Sequence, residues 1–184
     1  GANNVTLTVT DNNGNVNTCV AVVTVEDVTP PVAVCQDITV QLDATGNVTI
    51  TGADIDNGSS DACGIATLTA APNAFTCAEV GANNVTLTVT DNNGNVNTCV
   101  AVVTVEDVTP PVAVCQDITV QLDATGNVTI TGADVDNGSS DACGIASLTV
   151  APDAFTCASV GPNTVTLTVT DNNGNVSTCN AVVT

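Results

Sequence analysis

Val85-Thr86-Leu87-Thr88-Val89-Thr90, followed at once by Asp91-Asn92-Asn93-Gly94-Asn95, is the stretch that decides the fold. Apolar and hydroxyl side chains alternate with a period of two, so Val85, Leu87 and Val89 face a core and the threonines face solvent. The Asn and Gly residues after Asp91 are those of a tight turn. Working outward, further β-branched segments fall at about 32–42, 47–52, 64–70, 74–80 and 96–105. They are separated by Asp43-Ala44-Thr45-Gly46, the loop 53–63, and Ala71-Pro72-Asn73. No segment carries a 3.6-residue period. Six or seven short strands between turn signals predict an all-β fold, an immunoglobulin-like β-sandwich. Phe75 is the sole aromatic residue of its stretch, so the core is Val, Ile, Leu and Ala, thin enough to need covalent staples.

The 184-residue chain repeats itself. Residues 1–80 and 81–160 align without a gap and differ only at Ile55/Val135, Thr67/Ser147, Ala70/Val150, Asn73/Asp153 and Glu79/Ser159, and 161–184 begin a third copy. An 80-residue period is long enough for a small domain, unlike solenoid repeats that need neighbours to bury a core. The tracts Val25-Glu26-Asp27-Val28-Thr29-Pro30-Pro31 and 105–111 combine acids with a Pro pair and read as linkers. Cutting there predicts the C-terminal part of a truncated repeat at 1–28, a complete repeat at 29–108 and a nearly complete one at 109–184, strung together as an elongated rod. The abrupt start without Met is expected of a piece of something longer.

Composition excludes whole classes of function. There is no His, Lys or Arg, so Ser-His-Asp, Cys-His and Ser-Lys nucleophile arrangements cannot be assembled, and no enzyme is expected. A formal charge of -19 repels phosphate, so neither nucleic acid nor an anionic membrane surface is an expected partner. No apolar run reaches the roughly 20 residues needed to span a bilayer, so no membrane insertion is expected. With 43% hydrophobic and only 10% charged residues the chain has enough apolar material to fold.

Pro30-Pro31-Val32-Ala33-Val34-Cys35, Ser60-Asp61-Ala62-Cys63-Gly64, the stretch from Gly81 to Asp91, and Asn93-Gly94-Asn95 followed by Cys99 resemble hyalin-type (HYR) repeats. The Cys35-Gln36-Asp37-Ile38-Thr39-Val40 and Asp56-Asn57-Gly58-Ser59-Ser60-Asp61 spellings are similar to repeats in giant surface adhesins of Bacteroidetes, gliding-motility adhesins among them. The resemblance implies tandem Ig-like domains, type 9 secretion, and adhesion at the bacterial cell surface.

The nine cysteines divide as one, four and four along the repeats. Four cysteines allow three connectivities. In an Ig-like sandwich the first strand runs parallel to the last, which favours Cys35–Cys99, and Cys63 and Cys77 sit symmetrically about the Ala71-Pro72-Asn73 turn. The expected set is therefore Cys35–Cys99, Cys63–Cys77, Cys115–Cys179 and Cys143–Cys157. A zinc or iron–sulfur site is the rival reading, but there is no Cys-x2-Cys pair and no His. Disulfides at this density place the protein outside the cytoplasm.

The loop Ala53-Asp54-Ile55-Asp56-Asn57-Gly58-Ser59-Ser60-Asp61 gathers carboxylates and an amide, the hard oxygen ligands that Ca²⁺ takes six to eight at a time. Ig-like topology puts it at the same pole as Asp91 and the preceding linker. The candidate calcium ligands are thus Glu26, Asp27, Asp54, Asp56, Asn57, Asp61 and Asp91, repeated as Glu106, Asp107, Asp134, Asp136, Asn137, Asp141 and Asp171. The alternative is that Asp91-Asn92-Asn93-Gly94-Asn95 is a hairpin turn and the other acids a solvated face. Asp37, Asp43 and Glu79 read as surface charge.

These readings point to a structural stalk of a secreted adhesin, stiffened by disulfides and calcium. Its partners would be other repeats of the same chain and, through a tip domain absent from this sequence, surface glycans or a substratum. The alternatives are a multivalent calcium-dependent carbohydrate- or surface-binding module, and lateral assembly into a sheath or layer through edge strands.

Overall fold

A computed structural model describes residues 1–184. The chain is all-β. Its strands are β1 Ala2–Thr10, β2 Val16–Thr24, β3 Ile38–Gln41, β4 Asn47–Thr49, β5 Ile65–Ala71, β6 Ala74–Thr76, β7 Gly81–Asp91, β8 Val96–Glu106, β9 Asn127–Thr129, β10 Ile145–Ala151, β11 Ala154–Thr156, β12 Asn163–Asp171 and β13 Val176–Val183. Two single α-helical turns, α1 Gly52–Ile55 and α2 Gly132–Val135, and two 3₁₀ turns, Cys77–Glu79 and Cys157–Ser159, interrupt them. The strands of 29–108 form a four-stranded sheet in the order β3-β8-β7-β5 and a two-stranded sheet β4-β6, and those of 109–184 form β10-β12-β13 and β9-β11. β3 pairs parallel with β8, from Ile38↔Val103 to Gln41↔Glu106, and Ile118 makes the matching parallel bridge to Val183. Successive strands that alternate between two sheets, with the first parallel to the last, make the immunoglobulin-like arrangement.

The chain forms two compact units that interleave along the sequence. One comprises Gly1–Gln36, Thr51–Ala71 and Thr86–Ala101. The other comprises Asp37–Ile50, Pro72–Val85 and Val102–Thr184.

In the first unit, β5 lies antiparallel to the second half of β7, with Leu68 opposite Val89. Ile55, Leu87, Val89 and Ala101 are fully buried. The α1 turn presses its backbone on β5: a Cβ placed on Gly52 would lie 2.5 Å from the main-chain carbon of Leu68, so only glycine fits. The stretch expected as one strand over 32–42 is split. Val32 and Cys35 bridge antiparallel to Ser60 and Asp56, while the ladder with β8 starts only at Ile38.

The β1–β2 hairpin of this unit repeats the sequence of β7 and β8 but exposes both faces. Val5, Leu7 and Val9 are 49%, 58% and 58% exposed, whereas Val85, Leu87 and Val89 are 0%. The alternating pattern specifies which face is apolar; burial comes from what packs on it.

In the second unit, Ile130, Val135, Phe155, Val165, Leu167, Val169, Ala181 and Val183 form one aliphatic core around a single aromatic ring. Burial of each large aliphatic side chain stabilises by about 1.5–3 kcal/mol. The tract read as a linker from residue 105 is still strand at its start. Val105 is buried, and the Leu42 amide donates to the Glu106 carbonyl at 2.9 Å. β8 therefore carries two residues of the supposed linker, and the segment outside the strand begins at Asp107.

Candidate cation site and cysteine staples

The cysteines define the covalent frame. Bonds join Cys35 to Cys99 and Cys115 to Cys179, each across 64 residues, at Cα separations of 5.9 Å. The third bond differs from expectation. Cys77 is joined to Cys143, across 66 residues and with Cα atoms 5.2 Å apart, leaving Cys63 and Cys157 as exposed thiols beside Cys19. The expected Cys63–Cys77 and Cys143–Cys157 bridges do not form. They assumed that the turns at 71–73 and 151–153 close hairpins, and they do not: β10 pairs with β12 while β11 pairs with β9, so the chain changes sheets there. β5 and β6 likewise pair with β7 and β4. Within the second unit, Gly46 lies against this bond, because a Cβ on it would meet the Cys77 sulfur at 2.7 Å and the Ala142 Cβ at 3.3 Å. Residues of successive 80-residue copies are thus tied covalently inside one packed unit.

The structure sorts the fourteen candidate calcium ligands into separate roles. Asp54 caps α1: its Oδ2 accepts from the Thr51 amide at 2.6 Å and hydroxyl at 2.7 Å, and Asp134 does the same for Thr131. The amide bond from Thr51, with its hydroxyl, holds the Asp54 carboxyl below its usual range. Asp56 accepts from the amides of Gly58 and Ser59, and Asp136 from Gly138 and Ser139. Asn57 and Asn137 donate their main-chain amides to the carbonyls of Val34 and Val114. Glu26 and Glu106 are exposed and outside any acidic cluster.

Asp91 is the anchor of its turn. Its Oδ1 accepts from the amides of Asn93 and Asn95, both at 2.8 Å, and its Oδ2 from the Asn95 side chain at 2.7 Å. Asp171 repeats this with Asn173 and Asn175. Both aspartates are 1% exposed. Burial pushes their carboxyls up, but the bonds from the Asn95 and Asn175 side chains and the turn amides outweigh it and hold both below the usual value. The residues read as isolated surface charge also serve the backbone: Asp37 accepts the Val102 amide at 2.7 Å, Asp43 the amide and hydroxyl of Thr45, and Glu79 those of Thr76. With no Lys, Arg or His in the chain, main-chain amides and hydroxyls take the place of counter-ions.

Two pairs of the candidates do converge. Ligand atoms of Asp27, Asp61 and Cys63 lie within 4.8 Å of one another, and so do those of Asp107, Asp141 and Cys143. Sequence reasoning included the four aspartates but missed that a cysteine shares each cluster; the Asp-x-Cys spacing at 61–63 and 141–143 was the signal. In each cluster the linker aspartate folds back, Oδ1 accepting from Thr29 or Thr109 at 3.0 Å. The second aspartate accepts the amide of its cysteine at 2.7 Å. The Asp27 carboxylate beside the Cys63 thiol, with the charges of Asp61 and Asp91, pushes the thiol up.

Asp107 is 8% exposed, and its Oδ2 is buried without a hydrogen-bond partner. A buried carboxylate oxygen with nothing to accept from, beside a second carboxylate, is an arrangement that a cation relieves. The donor set fits Ca²⁺ better than a soft metal. In the second cluster the cysteine sulfur is committed to a disulfide, so what the two clusters share is carboxylate oxygen.

No known protein family and no curated protein is matched by the sequence. Among solved structures, the fold is similar to protocadherin gamma B7 extracellular cadherin domains 1–4, with TM-score 0.41 and 14% identity over 99% of this chain and 57% of that one. It is also similar to titin domains I67–I69, with TM-score 0.41 and 9% identity over 100% of this chain and 74% of that one. Fibronectin(III)-like modules of CbhA from Clostridium thermocellum match with TM-score 0.28 and 18% identity over 83% of this chain and 90% of theirs. The chain spans 57% of the length of two of the protocadherin chains it matches and 36% of a third. No helix of the structure is long and apolar enough to cross a membrane.

Proposed function

We propose that this chain is a structural stalk segment of a secreted bacterial cell-surface adhesin, with calcium taken up at Asp27–Asp61 and Asp107–Asp141. The observation that carries this reading is the Cys77–Cys143 bond, which ties one copy of the repeat to the next. A module that only needed to fold would be served by bonds within each copy; a bond between copies resists their separation, which is a demand of load and reach. The immunoglobulin-like fold and three disulfides support an extracellular structural role. Carboxylates without cationic partners support calcium, and with two carboxylates per cluster the affinity belongs to the weak extracellular range, about 10⁻⁴–10⁻³ M. The resemblance to hyalin-type repeats supports the bacterial surface, type 9 secretion and a gliding adhesin as the setting. The repeats themselves do no chemistry.

The test is a thermal melt and small-angle scattering on the full chain under non-reducing conditions, titrated with calcium and then with chelator. A melting temperature that rises with calcium and returns with chelator, together with an elongated particle, is the expected result. A compact particle with no response to calcium would overturn both parts.

A second reading has one observation in its favour. A cleft of about 460 Å³ lined by Asp27, Thr29, Pro30, Val32, Ser60, Asp61 and Ala62 recurs as one of about 370 Å³ at Thr109, Pro110, Val112, Ser140, Asp141 and Ala142. Repeated clefts beside paired carboxylates suit a multivalent, calcium-dependent binder of glycan hydroxyls. A glycan array with and without calcium separates it from the stalk.

A further inference from the structure

Cys63, at the edge of the first carboxylate cluster, and Cys157, outside both clusters, are thiols that the disulfide frame leaves unbonded. The 80-residue period makes Cys63 the counterpart of Cys143, and Cys157 the counterpart of Cys77, the two residues bonded to each other in the structure.

The surroundings of each counterpart match in detail. The Cys77 sulfur stands 3.8 Å from the Gly46 carbonyl oxygen, and the Cys157 sulfur stands 3.8 Å from that of Gly126. A Cβ on Gly46 would meet the Cys77 sulfur at 2.7 Å, and one on Gly126 would meet the Cys157 sulfur at the same distance. Cys157, unbonded, already holds the posture in which Cys77 is bonded. On the other side, the amides of Cys63 and Cys143 both donate to the aspartate two residues earlier at 2.7 Å. Their carbonyls both accept from an asparagine side chain, Asn92 or Asn172, at 2.8 Å. Both halves of the bond are preformed where the bond is absent.

We propose that Cys157 and Cys63 are the two open halves of the same inter-copy staple. Cys157 takes the Cys143-type cysteine of a copy that follows in the same chain, and Cys63 takes the Cys77-type cysteine of a copy that precedes. Every junction of an array built from this repeat is then closed by one disulfide, in addition to the bond inside each copy. In each closure two S–H bonds break and one S–S bond forms, and the two protons and two electrons reduce a small-molecule disulfide to two thiols. The inference stands on the thiols alone and depends neither on calcium nor on an adhesive role.

The experiment extends the 184-residue chain after Thr184 by a further copy of residues 105–184, with glutathione disulfide as oxidant. The product is alkylated with N-ethylmaleimide and read by intact mass and by mapping with an acid-residue-specific protease. The expected result is that the extended chain gains two disulfides and no reactive thiol relative to the parent, and that Cys157 leaves the alkylated set. A gain of one disulfide and two reactive thiols, with Cys157 still alkylated, would overturn the proposal. Cys157→Ser in the extended chain is expected to return the appended copy of Cys143 to the alkylated set; its continued protection would show another partner and sink the assignment. A copy of residues 81–160 placed before Gly1 is expected to protect Cys63 in the same way, and a Cys63 that stays reactive there counts against it. The parent chain alone, oxidised in dilute solution, is expected to stay monomeric; oligomers linked through Cys157 and Cys63 would move the partner to a second molecule and refute the in-chain assignment.

Discussion

The side-chain amide of Asn175 donates to the main-chain carbonyl of Asp107 at 3.1 Å, and 80 residues earlier Asn95 makes the same bond to Asp27 at 3.2 Å. A turn between the last two strands thereby fixes the start of the linker, and the linker carboxylate is held against the Asp61 or Asp141 loop rather than free to swing into solvent.

Calcium uptake should therefore depend on Asp107 and Asp141 and not on Asp134 or Asp136. At about 10 mM calcium a site of about 10⁻⁴–10⁻³ M affinity stabilises by about 1.4–2.7 kcal/mol. Asp107→Asn is expected to lose the share of the calcium-induced rise in melting temperature that belongs to its cluster, while Asp136→Asn keeps it. Calorimetric titration of both variants checks the claim, and equal losses would place the ion elsewhere.

Acid should destabilise the protein late and steeply. Asp91, Asp171, Asp54 and Asp134 are all held below their usual carboxyl range by hydrogen bonds. A depressed folded-state value gives stability that is present above the unfolded value, about 3.9, and is lost as pH falls through the folded one. Melting temperature is expected to hold from neutrality down to about pH 4 and to drop below it. Asp91→Asn should be less stable at pH 7 and show a shallower acid drop. A wild-type melt that rises below pH 4 would mean that relief of the -19 charge outweighs these bonds.

Glycines divide by what surrounds them. Gly52→Ala drives a methyl into the Leu68–Thr69 backbone and is expected to cost upwards of about 2 kcal/mol. Gly58 has a positive φ of 86° but open space around it, so Gly58→Ala is expected to cost only about 1 kcal/mol. Denaturant titration of the two variants reads the difference, and a reversed order would contradict the packing of α1 on β5.

Cys63 should be a sluggish thiol despite its exposure. The Asp27 carboxylate beside it and the other nearby charges disfavour the thiolate, which is the reactive form. Iodoacetamide labelling at pH 8 is expected to speed up severalfold in Asp27→Asn, where the neighbour loses its charge. An unchanged rate would show that Asp27 does not govern the thiol.

Much of this architecture was legible from residue patterns, because each strand carries its own alternation and each turn its own Asn or Gly. The Val85–Thr90 run and the Asp91 turn follow from such local cues, and the pairing of Cys35 with Cys99 from the immunoglobulin-like topology in which the first strand runs parallel to the last. The Cys77–Cys143 bond was not legible in that way. Symmetry about Ala71-Pro72-Asn73 suggested a hairpin, and nothing in those residues says that β5 and β6 belong to different sheets. The acidic loop misled for a related reason: composition shows how many carboxylates a loop holds but not which already serve amides, as Asp54 and Asp56 do. Asp61 differs from them by standing beside Asp27, a neighbour 34 positions away in sequence.

The bond from Cys35 to Cys99 also decides what happens when the chain is pulled. Tension entering before Cys35 crosses the sulfur bridge to Cys99, and the Cys77–Cys143 bond passes a share of it to the next copy, so the other residues between Cys35 and Cys99 carry none of it. At about 3.5 Å per extended residue, the 64-residue separation would otherwise release about 220 Å of slack when the sandwich gave way. With the bridge closed, a ruptured copy lengthens hardly at all, and a tethered load stays at nearly the same distance from its anchor until the domain re-forms. Reduction of this bond and of Cys77–Cys143 turns the same copy into a spring with a long throw, so the redox state of its sulfurs sets whether this protein behaves as a cable or as elastic.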